Sequence, residues 1–251
     1  MDVNVSEVLR GIPEWKGARI ERLAGGRTNH TWLLTAGDRK AVLKIDETPR
    51  SSPYNTRAQE AEVQSLAAEQ DLSGRVLYVS DTVYVSEFLE GEVWTRDSLR
   101  DDANLERLGA ALRRLHALPL TGRVFDALSA ARTYAGRIRD PDESRVRACL
   151  QAIAAEPPGP GLSTCHNDLV VDNIVSAPDT RFLDWEYACD NDPMFDLATV
   201  VTHHGLNDAK AGVLLDAYFD GDGERHRERL ARQSDVYAAL LYLWERGGIR
   251  G

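Results

Sequence analysis

Cys165-His166-Asn167-Asp168-Leu169-Val170-Val171-Asp172-Asn173, followed by Phe182-Leu183-Asp184-Trp185-Glu186, is the stretch on which the reading of this chain turns. An Asp stands five residues before an Asn on a short loop, and a second Asp follows an apolar run. That order suits phosphoryl transfer. One carboxylate, Asp168, orients an attacking hydroxyl and accepts its proton, while the Asn173 oxygen and the Asp184 carboxylate hold the Mg²⁺ ions that bridge the phosphates. Magnesium takes hard oxygen ligands and keeps several waters, so few protein ligands suffice. Taken singly, Asp172, Asn173 and Asp184 read as turn and strand-end residues; taken in this order, the set reads as a catalytic centre.

Working outward, two features extend that centre toward ATP. Lys44 ends an apolar strand, where it reaches the α- and β-phosphates if an acid fixes it. Glu60, on the following helix, is the candidate partner, and Glu62 is its rival. Leu23-Ala24-Gly25-Gly26-Arg27-Thr28-Asn29-His30 lies directly before the first strand. Gly25 and Gly26 let the backbone approach phosphates, and the amides with Thr28 and Asn29 donate to them. Between the halves of the chain, Ser86-Glu87-Phe88-Leu89-Glu90-Gly91 is expected from its position to meet the adenine through its backbone, chiefly at Glu87 and Phe88.

The flanking patterns give the elements. Thr31 to Thr35 and Ala41 to Ile45 are apolar and partly β-branched, with Gly37-Asp38 between them, a hairpin signal. Thr56 to Gln70 lacks Gly and Pro and predicts a helix, and Arg75 to Ser80 with Val83 to Phe88 predicts a second strand pair. Beyond Gly91, Leu105, Leu108, Leu112 and Leu115 form the stripe of an amphipathic helix. Glu143 to Ala155 predicts another, Asn173 to Ser176 and Arg181 to Trp185 two short extended runs, and helical patterns follow to the end. A strand-rich part over 1–90 thus leads into a helical part over 91–251.

Hydrophobic residues at 43 % and charged residues at 28 % predict a packed core. No run of about 18 uncharged apolar residues occurs, so no membrane-spanning helix is expected. Three cysteines without C-x-x-C spacing read as free thiols of a reducing compartment, the cytoplasm. Thirty Lys and Arg against forty Asp and Glu give a net charge of −10, which disfavours nucleic acid as a partner and favours a cationic substrate. Cys165 and His166 invite a nucleophile reading, but neighbours on an extended segment point opposite ways; His166 is expected to brace the loop. His203-His204 reads as a packed or solvated helix segment, not a metal site. Only eleven positions separate Asp184 from Phe195, too few for a protein-kinase activation segment.

Gly25-Gly26-x-Thr28-Asn29, Arg57-x-x-Glu60, Leu112-x-x-Leu115-His116, His166-Asn167-Asp168-x-x-x-x-Asn173, Leu183-Asp184-Trp185-Glu186-Tyr187-Ala188 and Asn191-Asp192-Pro193-x-Phe195-Asp196-Leu197 together resemble the choline/ethanolamine kinase branch of the aminoglycoside phosphotransferase-like, protein-kinase-like superfamily, and are also similar to thiamine kinases. The resemblance runs from about residue 18 to residue 200 and departs at Arg27, where a small or apolar residue is usual, and at Asp71-Leu72, where Gly-Leu is usual. It implies an α+β, two-lobed protein-kinase-like fold with a small antiparallel-sheet N-lobe and a larger, mainly helical C-lobe. It implies Asp168 as base, Asn173 and Asp184 on Mg²⁺, Lys44 with Glu60 on ATP, and Asp196 as a structural brace of the catalytic loop.

The acceptor is expected to be a small hydroxylated cation. A quaternary ammonium needs aromatic faces and a carboxylate, which Trp185, Glu186 and Tyr187 beside Asp184 offer, with Trp244 on a late helix as a further candidate. Choline or a similar amino alcohol comes first and thiamine next. Aminoglycosides, sugars and a nucleotide-binding pseudokinase without turnover are the remaining readings.

Overall fold

A computed structural model of the chain describes residues 5–23, 30–50, 55–156, 159 and 161–248. They fall into two compact units. One runs up to Glu90 and includes Trp185–Tyr187; the other comprises Gly91–Asp184 and Ala188–Gly248.

The N-lobe begins with a short helix α1 (Val5–Arg10), then β1 (Arg19–Arg22), β2 (His30–Ala36), β3 (Arg39–Ile45), helix α2 (Arg57–Glu69), β4 (Val76–Val79) and β5 (Val83–Glu87). The five strands form one antiparallel sheet in the order β1-β2-β3-β5-β4. The β2–β3 hairpin turns on Gly37-Asp38, pairing Ala36 with Arg39, with Gly37 at φ 62 where side chains are disfavoured. Strand periodicity then sorts the side chains. Trp32, Leu34, Ala41, Leu43 and Val85 go to one face, where Leu9, Ile12 and Trp15 cover them. Lys44 and its cross-strand partner Tyr84 go to the other, toward α2.

Helix α2 starts with a complete capping box: the Thr56 hydroxyl accepts from the Gln59 amide while the Gln59 side chain accepts from the Thr56 amide. Thr56→Ala is expected to cost about 1 kcal/mol, read as a lower midpoint in urea unfolding. Two residues beyond the last helical residue, Asp71 sits at φ 55. That is the left-handed region, favoured by glycine and tolerated by Asp.

The C-lobe carries β6 (Glu92–Val93), α3 (Asp102–His116), α4 (Ala127–Ala135), α5 (Glu143–Ala155), β7 (Ser163–Cys165), β8 (Ile174–Ser176), β9 (Thr180–Phe182), β10 (Cys189–Asn191), α6 (Met194–His204), α7 (Asp208–Tyr218) and α8 (Arg227–Gly247). Asp101, Asp126, Asp142 and Asn207 cap α3, α4, α5 and α7 with their side chains. The leucine stripe of α3 is fully buried, and Gly109 lets α7 approach so closely that a Cβ there would lie 2.6 Å from that of Ala217. Tyr134, Ile153, Phe195, Leu240 and Leu243 join α4, α5, α6 and α8 in a second core. Two small antiparallel ribbons, β6-β8-β9 and β10-β7, complete this lobe. This is the two-lobed α+β architecture expected from the sequence, with β1, α1, α4, β6 and the β7–β10 pairing added to the elements legible there.

Candidate active site

In the N-lobe, the charges that meet behind β3 are nearly all buried. The Lys44 ammonium lies 2.8 Å from Glu60 Oε1, and Glu60 is fully buried. Its other oxygen accepts from Arg57 Nη1 at 2.6 Å, and Arg57 grips Asp46 through Nε and Nη2 at 2.6 and 2.9 Å. Arg50 closes the cluster: Nε reaches Asp46 Oδ1 at 3.0 Å, and Nη1 reaches Glu186 Oε2 at 2.8 Å and Glu60 Oε2 at 3.7 Å. Burial disfavours the Arg50 charge, yet Glu186, Glu60 and Asp46 outweigh it and hold the guanidinium pKa above its ordinary value. Three cations therefore face three carboxylates out of water, the condition under which buried charges are tolerated.

In the C-lobe, the loop after β7 is fastened from behind. Asp196, fully buried in the first turn of α6, accepts from the amides of His166 (2.8 Å) and Asn167 (2.7 Å) and from His116 Nε2 (3.0 Å). With His116 Nε2–H so directed, its Nδ1 accepts from the Tyr218 hydroxyl at 2.7 Å; burial, then Cys165 and Asp196, push the Tyr218 pKa up and keep that proton in place. His166 donates from Nε2 to the Leu183 carbonyl at 2.8 Å. Asn167 stands at φ 64, a conformation an Asn adopts more readily than most residues. Its Oδ1 accepts from Asn191 Nδ2 at 2.7 Å, so β10 holds the loop as well.

Asp168 is half-buried. Asn173 Nδ2 donates to the Asp168 carbonyl at 2.8 Å and to its Oδ2 at 3.2 Å. The Leu183 amide donates to the Asn173 carbonyl at 2.9 Å, and the chain then leaves the strand at Asp184, φ 60. Since the Asn173 amide nitrogen is taken by Asp168, its Oδ1 is the atom to offer a cation, and Asp184 follows directly on the Leu183 bond to Asn173. An amide oxygen and a carboxylate are hard donors of the kind magnesium takes. The residues present fit the ion.

A profile of the phosphotransferase enzyme family matches residues 19–232. The chain belongs to that family. The phosphotransferase is 28 % identical to Protein LicA of Haemophilus influenzae over 240 residues, 88 % of this chain and 70 % of that protein. Its fold matches a choline/ethanolamine kinase family protein from Mesorhizobium loti with a TM-score of 0.73 at 26 % identity, over 96 % of this chain and 83 % of the other. It matches choline kinase LicA from Streptococcus pneumoniae with a TM-score of 0.80 at 21 % identity, over 95 % and 88 %. The phosphotransferase is a small-molecule kinase, and so a nucleotide-binding protein.

Several residues singled out in the sequence of the phosphotransferase have partners that the sequence does not reveal. Trp185, expected at the acceptor, is corrected: it is fully buried in the N-lobe with its indole N–H on Ser73 Oγ at 3.0 Å, and shows no ring face to a ligand. Glu186 is also buried, and faces Arg50. Tyr187 is half-buried, as is Trp244, which packs over the α4–α5–α8 core. The Glu87 carboxylate is bound by Arg75, and the Glu87 and Phe88 amides donate to the Arg75 and Lys40 carbonyls, so neither amide is open to an adenine. Gly25, Gly26, Thr28 and Asn29 lie outside the described residues.

Tyr237 is buried with its hydroxyl 2.8 Å from His203 Nδ1 and its ring against Phe195. Its pKa is raised by burial and by the Asp168 charge. His204 is held neutral, its pKa brought down to about 4 by burial, His203 and Arg96. Among the described residues, the group of potential metal donors is His116, Cys165 and Asp196, and two of these three are spent on bracing the loop. Burial pushes the Cys165 thiol far up and that of Cys189 up to about 12, so neither is a thiolate nucleophile at neutral pH. Cys165→Ala is expected to keep turnover within about threefold, and both thiols to resist an aromatic disulfide reagent at pH 8 until the protein is unfolded. Fast labelling of native Cys165 with loss of activity would reinstate the nucleophile.

Proposed function

We propose that this kinase transfers the γ-phosphate of ATP to the hydroxyl of a small cationic alcohol, choline or a similar amino alcohol first. The observation that carries the reaction class is the lock between Asp168 and Asn173, in which one amide nitrogen spans the carbonyl and carboxylate of the Asp. It spends the Asn173 amide nitrogen on Asp168 and so makes the amide oxygen the atom to offer a cation. Asp168 orients the hydroxyl and takes its proton late, because a loose transition state asks for little base strength. Lys44, held by Glu60, meets the α- and β-phosphates. Asn173 and Asp184 would hold Mg²⁺, which would supply charge neutralisation at the phosphates. Catalysis is then mostly positioning and electrostatics.

The cationic acceptor is supported by the match at 26 % identity to a choline/ethanolamine kinase family protein and by Tyr187 and Trp244, half-exposed aromatics each able to give a quaternary ammonium about 0.5–2 kcal/mol. The three free thiols suit a reducing cytoplasm. A coupled ADP-release assay with Mg²⁺ tests the proposal against choline, ethanolamine, thiamine, two aminoglycosides and several neutral sugars. Turnover with choline or ethanolamine is the expected result. Turnover with sugars alone overturns the cationic acceptor, and ATP binding without turnover on any of them overturns the kinase assignment of this site.

A further inference from the structure

We infer that Arg50 and Glu186 are positioning residues, which fasten the segment following Asp184 to the Lys44–Glu60 pair. The inference rests on the roles proposed above for Lys44 and Asp184. Residues 185 and 186 are held by N-lobe groups at four polar points. The Asn55 amide donates to the Glu186 carbonyl at 2.7 Å, Asn55 Nδ2 donates to the Trp185 carbonyl at 3.2 Å, and the Trp185 indole donates to Ser73. The Glu186 carboxylate then meets Arg50 Nη1 at 2.8 Å, both side chains being less than a tenth exposed.

That carboxylate is the one the sequence offers to a cationic acceptor. An ammonium ligand would compete with Arg50 for it, and a displaced Arg50 charge would remain buried beside Asp46 and Glu60. The ligand would exchange one cation for another and gain nothing. Arg50 instead shares one nitrogen between Glu186 and Glu60, and Glu60 is the residue that fixes Lys44. A shift of Glu186 therefore reaches Lys44 through three charge contacts, by way of Arg50 and Glu60, and reaches Asp184 through two peptide bonds. Misplacement of phosphate-binding groups on the ångström scale costs rate out of proportion to its size.

The test uses the full chain with Glu186→Gln, which keeps shape, and Arg50→Lys, which keeps charge but loses the planar reach to both carboxylates. MgADP affinity is measured by calorimetry without any acceptor, and KM values are measured separately for ATP and choline. Glu186→Gln is expected to weaken MgADP and lower kcat about tenfold each, with the choline KM within about twofold of wild type. Arg50→Lys is expected to lose less in the same direction, and the double variant no more than Glu186→Gln alone, because the two act through one contact. A raised choline KM with unchanged MgADP affinity overturns the inference and makes Glu186 the acceptor's carboxylate. Lower thermal stability with unchanged nucleotide affinity and kinetics overturns it too, leaving a structural pair. If wild type binds MgADP but phosphorylates nothing, the proposed function fails, while the calorimetric arm still decides whether Glu186 and Arg50 position the nucleotide groups.

Discussion

Asp168→Ala is expected to lower kcat by about 10²–10⁴-fold, with thermal unfolding close to wild type and the KM for ATP little changed. The loop should survive the change because its main fastenings do not involve the Asp168 side chain. The amides before it bind Asp196, and Asn173 Nδ2 keeps its 2.8 Å bond to the Asp168 carbonyl. What is lost is the half-buried carboxylate proposed to orient the acceptor. Single-turnover kinetics, with ATP binding measured in parallel, separate the two. Turnover above a tenth of wild type would remove Asp168 from the chemistry.

Asp196→Ala is expected to be the most damaging single change to stability, at about 3–5 kcal/mol. The carboxylate is fully buried and satisfies two backbone amides and an imidazole. Removing it leaves three buried donors without an acceptor, each costing about 1–3 kcal/mol, and frees Asn167 to leave its left-handed conformation. Asp196→Asn retains one acceptor oxygen and should fall between. Urea unfolding gives the magnitude, and a midpoint within error of wild type would mean the brace is dispensable. Activity should fall in step, since the same bonds hold the residues flanking Asp168. Loss of activity at full stability would instead give Asp196 a direct part in the reaction.

The two residues differ in how they could be found. Asp168 and Asn173 are five positions apart, close enough for a loop to bring their side chains into contact, so spacing and residue type reveal the pair. The β2–β3 hairpin and the ends of α2 and α5 are legible for the same reason: turn chemistry, capping and helix periodicity act over a few residues. Short elements with no periodicity to show, such as β6 and the β7–β10 pair, exist only because a partner strand or ladder supplies their hydrogen bonds. Asn55 marks the limit well. In sequence it is a polar residue ahead of a helix, and in the fold it holds Trp185, 130 positions away.

The sequence by itself determined the reaction class and the α+β fold class, and it singled out Asp168, Asn173 and Asp184 as candidates, because phosphoryl transfer asks for particular atoms at short spacing. The Lys44–Glu60 pair was within its reach, since a strand end and the next helix are neighbours. Only the tertiary structure decided that Trp185 is core, that Glu186 belongs to Arg50, and that Asp196 serves three donors. An indole beside a catalytic Asp has the same local sequence whether it stacks a ligand or fills a core. Buried charges, likewise, are assigned by whichever opposite charge the packing leaves within reach once water is excluded.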